Sequence, residues 1–198
     1  MDTLPILRST RFRQLCMTPY LLFFYTASIC GWLFEVIVYW TQHYEKFPLG
    51  ELFLSYRGVL HGPWAPIYGV GAVLMVILYR KTGKSPGRYF LSCIGICAIV
   101  EYFTGWILET AFHAKWWDYT GYFLNLHGRI CAMSLLVFAV ADMSVVYFIA
   151  PWFWSFLRKI PVHGKRVLCI GMTVAFLLDF AFSLAVPNMG LGVQICGG

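Results

Sequence analysis

The sequence predicts an all-α polytopic membrane protein, a bundle of about five transmembrane helices. Three observations predict it. Hydrophobic residues make up 60% of the chain and charged residues 12%, where a soluble domain carries roughly 25% charged residues. Long apolar runs recur along the whole length, more than one soluble core can absorb. Trp and Tyr gather where those runs end, as side chains do at a membrane interface. No stretch reads as a soluble domain or a linker, so one transmembrane domain is expected over residues 1–198.

The expected spans are 20–40, 60–79, 89–111, 128–149 and 167–186. Each is near the ~20 residues that cross ~30 Å of hydrocarbon. Arg8, Arg11 and Arg13 precede the first. That run is longer than a signal-peptide core and no small-residue cleavage site follows, so it is read as a retained helix. The second span opens with His61-Gly62-Pro63-Trp64-Ala65-Pro66-Ile67-Tyr68-Gly69. Its prolines and glycines argue against a regular helix there. Irregular backbone at membrane depth is tolerated only inside protein or along a wet cavity, so residues 61–69 are expected to line a site.

Basic residues set the orientation. Arg8, Arg11, Arg13, Arg80, Lys81, Lys84, Arg88, Arg158, Lys159, Lys165 and Arg166 fall on one side, and Lys46, Arg57, Lys115 and Arg129 on the other. The first side is cytoplasmic by the positive-inside rule. A multi-pass protein of the cell membrane follows, N-terminus inside and C-terminus outside. The net charge of +6 is thereby explained without nucleic acid.

Five carboxylates fall within spans: Glu35, Glu101, Glu109, Asp142 and Asp179. A charge at a helix centre costs about 3 kcal/mol on insertion scales, so these are expected to face the bundle interior, paired or protonated. Asp142 is read as a structural partner, Glu101 as a proton relay or a neutral hydrogen-bonding acid, and Asp179 as a residue closing the site. The seven cysteines are read mostly as small hydrophobes. Cys93 and Cys97 share a helix face, but no second pair or loop Cys-x-x-Cys accompanies them. Four histidines, His43, His61, His113 and His127, lie on the outer side without metal-binding spacing, so no metal is assigned and the cofactor is left open.

An internal repeat organises the rest. Gly31-Trp32-Leu33-Phe34-Glu35 closes span one, and Gly105-Trp106-Ile107-Leu108-Glu109 closes span three. Leu60-His61-Gly62 opens span two, and Leu126-His127-Gly128 opens span four. Residues 20–79 thus form one helical hairpin and 89–149 a parallel copy, related by a pseudo-axis along the membrane normal, with the fifth helix unpartnered. Glu35 and Glu109 sit roughly 7–10 Å below the outer aromatic belt, and His61 and His127 match them in depth. Arg57 and Arg129 add cations. One polar cavity open to the outside is expected to gather Glu35, Glu109, His61, His127, Arg57 and Arg129, with Asp118 in a loop folded over it.

The strings GWLFEVIVYW, YRGVLHGPWAPIYGVGA, EYFTGWILET and HAKWWDYTGYFLNLHGRIC resemble the bacterial membrane family catalogued as "putative ABC-transporter type IV" (CmpB-like), with transmembrane protein 229 of vertebrates as a distant relative. The resemblance covers about residues 20–150 and is carried by Arg57-Gly58-x-x-His61-Gly62-Pro63 and Trp117-Asp118-Tyr119. It implies transport. The sequence itself holds no Walker A loop.

Two principal readings follow. In the first, the chain is a transporter or permease component that recognises a small polar or amphipathic solute through Glu35, Arg57, His61, Glu101, Glu109, Asp118, His127, Arg129 and Asp179. In the second, it is an outer-leaflet enzyme acting on a lipid or prenyl substrate, with Glu35 or Glu109 as acid/base and His61 or Arg129 stabilising an anion. A structural membrane partner is a third. The expected partners are the bilayer, a small-molecule or lipid substrate, and a second copy or another membrane subunit. A polar pathway reaching Glu101 and continuing inward favours transport; a blind pocket opening sideways to lipid favours the enzyme.

Overall fold

A computed structural model describes residues 10–43, 45, 58–82, 85–190 and 193–196. Among them the chain forms α1 (Thr10–His43), α2 (Pro66–Thr82), α3 (Pro86–Phe112) and α4 (Ala132–Ser144). A π-helical turn (Val145–Ile149), α5 (Ala150–Lys159) and α6 (Val162–Ala185) follow. The stretch Ala132–Lys159 is one continuous apolar rod, so the described residues contribute five rods to the bundle. Four are long and apolar enough to cross a membrane; the fifth, α2, is shorter. The all-α polytopic class expected from the sequence is the one observed.

Several boundaries differ from expectation: α1 starts at Thr10 rather than 20 and α6 at Val162 rather than 167, and two differences have a clear cause. Span two starts at Pro66, not at residue 60. Proline suits a first helical turn, where its missing N–H has no partner to lose, so only 61–65 of the irregular stretch is non-helical. Span four runs on to Lys159 through the π-turn: Pro151 lies inside the continuous rod, next to Ala150, whose N–H reaches the Val145 carbonyl in the wider turn.

The shortest rod is the central one. α2 packs against α1, α3, α4 and the π-turn, while α6 packs on α1. Close approach of α1 and α2 depends on Gly69, where a Cβ would overlap Ser28 and Phe24. Toward the basic ends of the rods, Phe23 meets Phe153 (5.1 Å) and Trp154 (5.0 Å), tying α1 to α5. Met75 and Tyr89 are fully buried there. Outward faces carry exposed Leu91, Phe103, Phe148 and Leu178. An apolar exterior of that kind suits lipid.

On the face opposite the N-terminal end of α1, the tail after α6 crosses the bundle. Its β2 (Gln194–Ile195) pairs antiparallel with β1 (Ala114–Lys115), just beyond α3. On the way, the Asn188 amide donates to the Gly58 and Leu60 carbonyls (3.0 and 3.4 Å), fixing the chain that leads into α2.

Candidate functional site

The repeated Gly-Trp-x-x-Glu has one physical meaning in both copies. Glycine and glutamate four residues apart lie on one helix face. The bare glycine leaves a groove, a side chain from the following segment lies across it, and that side chain ends on the glutamate. In the first copy the Tyr68 ring fills the position that a Cβ on Gly31 would take, and the Tyr68 hydroxyl donates to Glu35. In the second, Arg129 lies over Gly105, with its Cγ 3.4 Å from where a Cβ would stand. Its Nε–H and Nη2–H donate to Glu109 Oε2 at 3.0 and 2.7 Å.

The hydrogen bonds sort the candidate residues into three groups, and Arg57 lies outside the described residues. The first group is Glu109, Arg129 and His127. Arg129 also donates to the Tyr102 hydroxyl (3.2 Å), which meets His127 Nδ1 at 2.9 Å. The space bounded by Gly105, Glu109, Trp116, Trp117 and Arg129 is about 10 Å³, room for about one water. This group is an ion pair with an aromatic rim, its two side chains still 16% and 26% exposed.

The second group joins His61 to α6. Asp179 accepts from the backbone N–H of His61 (3.2 Å) and of Gly62 (3.0 Å). Ser183 Oγ lies 3.0 Å from His61 Nδ1 and donates to Asp179 at 3.3 Å. Serine, histidine and aspartate meet here, but Ser183 is 1% exposed, and Asp179 holds backbone rather than the imidazole. The arrangement clamps the irregular segment before α2 to α6.

The third group is central and only half anticipated. Glu101 of α3 is 4% exposed and accepts from Ser134 Oγ of α4 at 3.2 Å. Tyr119 descends from the loop between α3 and α4 to face Glu101. Burial, then the charge of that carboxylate, pushes the Tyr119 phenol well above its ordinary value. Tyr68 lies within electrostatic reach of Glu35, Tyr119 and Glu101, and Glu35 within reach of Glu101. Two carboxylates from the two hairpins therefore share one centre, with two phenols and a serine around them. From the aromatic loop it is Tyr119, not Asp118, that reaches Glu101. Asp118 holds the loop: it accepts from Thr120 N–H (2.8 Å), Thr120 Oγ1 (2.6 Å) and Lys115 (3.3 Å). The Thr120 hydroxyl bond first, then Lys115 among others, keeps its carboxyl below the usual carboxylate range.

Sequence reasoning missed Tyr102, Ser134 and Ser183, and it gave Tyr68 and Tyr119, both inside segments it singled out, no role of their own. One signal was available: Ser183 follows Asp179 by four, hence on the same helix face. Asp142, expected as a structural partner, accepts from Cys97 Sγ at 3.0 Å. No metal-holding group of His, Cys, Asp and Glu occurs among the described residues.

The family model described as "Putative ABC-transporter type IV" matches residues 22–184, most of the chain. No curated protein and no solved structure matches it.

Proposed function

The chain belongs to the "Putative ABC-transporter type IV" family, and from that premise we propose that it is the membrane-embedded component of a transporter, recognising a small polar or amphipathic solute at the Glu35–Glu101 centre. The observation that carries this reading is the burial of Glu101 beside Tyr119 and Ser134, within reach of Glu35 from the other hairpin. Carboxylates kept at membrane depth mark solute and ion pathways. Two of them facing one space favour a solute with a cationic nitrogen, which hydrogen-bonds to a charged acceptor for about 1.5–3 kcal/mol. The outer ion pair of Glu109 and Arg129 is the closed rim of the site, and the Asp179 clamp sets its wall. The asymmetry of basic residues supports an N-terminus in the cytoplasm and a C-terminus outside, in the cell membrane, with the Glu35–Glu101 centre reached from the outside. The family's name supports partner subunits that supply energy.

The test is solute-dependent thermal stabilisation. Purified protein is screened against a panel of small amines, zwitterions and amphiphilic cations, with Glu35→Gln and Glu101→Gln alongside. A compound that raises the Tm of the wild type but of neither variant supports the reading. Stabilisation undiminished in both variants, or none by any compound, overturns it.

A further inference from the structure

The inner half of the bundle holds polar side chains that solute recognition does not use, and they are not scattered. Tyr89, Cys93, Cys97 and Glu101 follow one another at intervals of four along α3. Residues so spaced form one ridge of a helix. The same ridge continues through Gly105 to Glu109, and twenty residues from Tyr89 to Glu109 span about 30 Å, the thickness of the hydrocarbon. Tyr89 and Cys93 are fully buried and Glu101 nearly so. The ridge therefore faces protein rather than lipid.

Each step of the ridge meets a proton-bearing group from another element. At the outer end Glu35 and Tyr68 are hydrogen-bonded, and Tyr119 and Ser134 gather on Glu101. One turn inward, Cys97 donates to Asp142 of α4. Asp142 and Tyr89 both lie within electrostatic reach of Cys93. The Tyr89 ring packs 5.4 Å from Tyr79 of α2 and 6.4 Å from Tyr147 of the π-turn, and Tyr79 and Tyr147 are themselves 5.4 Å apart. π-turns concentrate at functional sites. Here the turn brings Tyr147 to the line.

We propose that this ridge of α3, with Glu35 at one end, Asp142 on its inner half and the Tyr79–Tyr89–Tyr147 triad at the other end, carries protons across the membrane. A proton from the outer solution joins Glu35 and moves inward by hydrogen-bond exchange. Each carboxyl, hydroxyl or thiol accepts a proton on a lone pair and releases its own. Neighbours one helical turn apart, about 5–6 Å at their Cβ atoms, exchange through a single water. Every group ends as it began, no heavy-atom bond is made or broken, and one H⁺ has crossed. The inference deepens the solute reading by naming the coupled ion, and it rests on the same Glu35–Glu101 centre.

The experiment uses the full chain in liposomes with an enclosed pH-sensitive dye and a potassium-diffusion potential; the probe is the proton itself. Wild-type vesicles should acidify faster than protein-free vesicles, and Asp142→Asn and Glu101→Gln should each lower the rate by about a hundredfold. Leu91→Ala, on the lipid face, should conduct like the wild type. Glu101→Asp should retain flux, which separates lost proton transfer from lost folding. Asp142→Asn should keep the solute-dependent rise in Tm, since Asp142 lies away from the Glu35–Glu101 centre. A wild type that conducts protons but shows no solute-dependent rise in Tm overturns solute recognition and leaves the relay standing. Wild-type flux no faster than protein-free vesicles, or unchanged flux in both carboxylate variants, overturns the relay.

Discussion

The two hairpins carry the same sequence mark and put it to different use. In the first, the groove over Gly31 holds a neutral phenol, and Glu35 lies in reach of a second carboxylate. In the second, the groove over Gly105 holds a guanidinium, and Glu109 is committed to it. The Leu-His-Gly elements diverge too. His127 and Gly128 sit at positive φ in a tight turn, and the turn is held by its own loop, with Asn125 and Asp118 close to Gly128. The His61-Gly62 backbone lies outside the positive-φ set and is held from α6 by Asp179. A duplicated motif thus conserves a shape, a groove with an acid at its end, while the occupant of the groove decides the chemistry. The salt-bridged copy is fixed; the phenol copy belongs to the centre.

The comparison breaks first at the glycines. Gly31→Ala drives a methyl into the Tyr68 ring and should cost about 1–3 kcal/mol, as overpacking does. Gly105→Ala meets Trp117 at 3.2 Å and the flexible Arg129 stem at 3.4 Å and should cost well under half as much. Thermal unfolding in detergent measures both, and equal losses would end the distinction. Next come the groove occupants. Arg129→Gln leaves Glu109 half-buried without its guanidinium and should cost about 2 kcal/mol, with recovery in the Arg129→Gln/Glu109→Gln double variant. Tyr68→Phe removes one neutral hydrogen bond and should cost about 1 kcal/mol. A Tyr68 effect exceeding that of Arg129 would reverse the assignment of fixed and working copies.

Smaller still is the pH response of the second loop. The Asp118 carboxyl titrates below its ordinary value in the fold. Its contribution is therefore complete above the unfolded value of about 3.9 and fades as pH falls through the depressed folded one. Limited proteolysis between Lys115 and Arg129 should accelerate only on acidification below that point, and Asp118→Asn should flatten the response. A loop that loosens on raising the pH instead would contradict the sign.

The fold was legible because lipid imposes a simple rule: every crossing must be apolar and helical. The carboxylates were legible for the same reason, since Glu35, Glu101 and Glu109 stand out against apolar runs. Their partners were not. Tyr68, Tyr119 and Ser134 are neutral and common, and nothing local marks a hydroxyl that will meet an acid from another helix. Cys93 and Cys97 were seen as an i, i+4 pair and read as small hydrophobes, a metal site being set aside for want of a second pair. Extending the same step to Tyr89 and Glu101 gives the whole ridge. The continuation of span four to Lys159 stayed hidden because Pro151 among Trp152, Trp154 and Phe156 reads equally as an interfacial loop. The duplicated motif predicted convergence into one cavity, but sequence equivalence says nothing of what fills each groove, a phenol over Gly31 and a guanidinium over Gly105.

The strand pair between tail and loop has a mechanical consequence. Ala114–Lys115 and Gln194–Ile195 are joined by backbone alone, with the Cys196 N–H closing on the His113 carbonyl at 2.9 Å. α6 packs on α1, so this short ribbon latches the end of the first-hairpin side to the end of α3 across one face. Any rocking of one hairpin against the other must either pivot on the latch, opening widest at the opposite face, or release it at the expense of a few exposed hydrogen bonds. A fastening that depends on no side chain can be made and unmade without changing the charge of the site it guards.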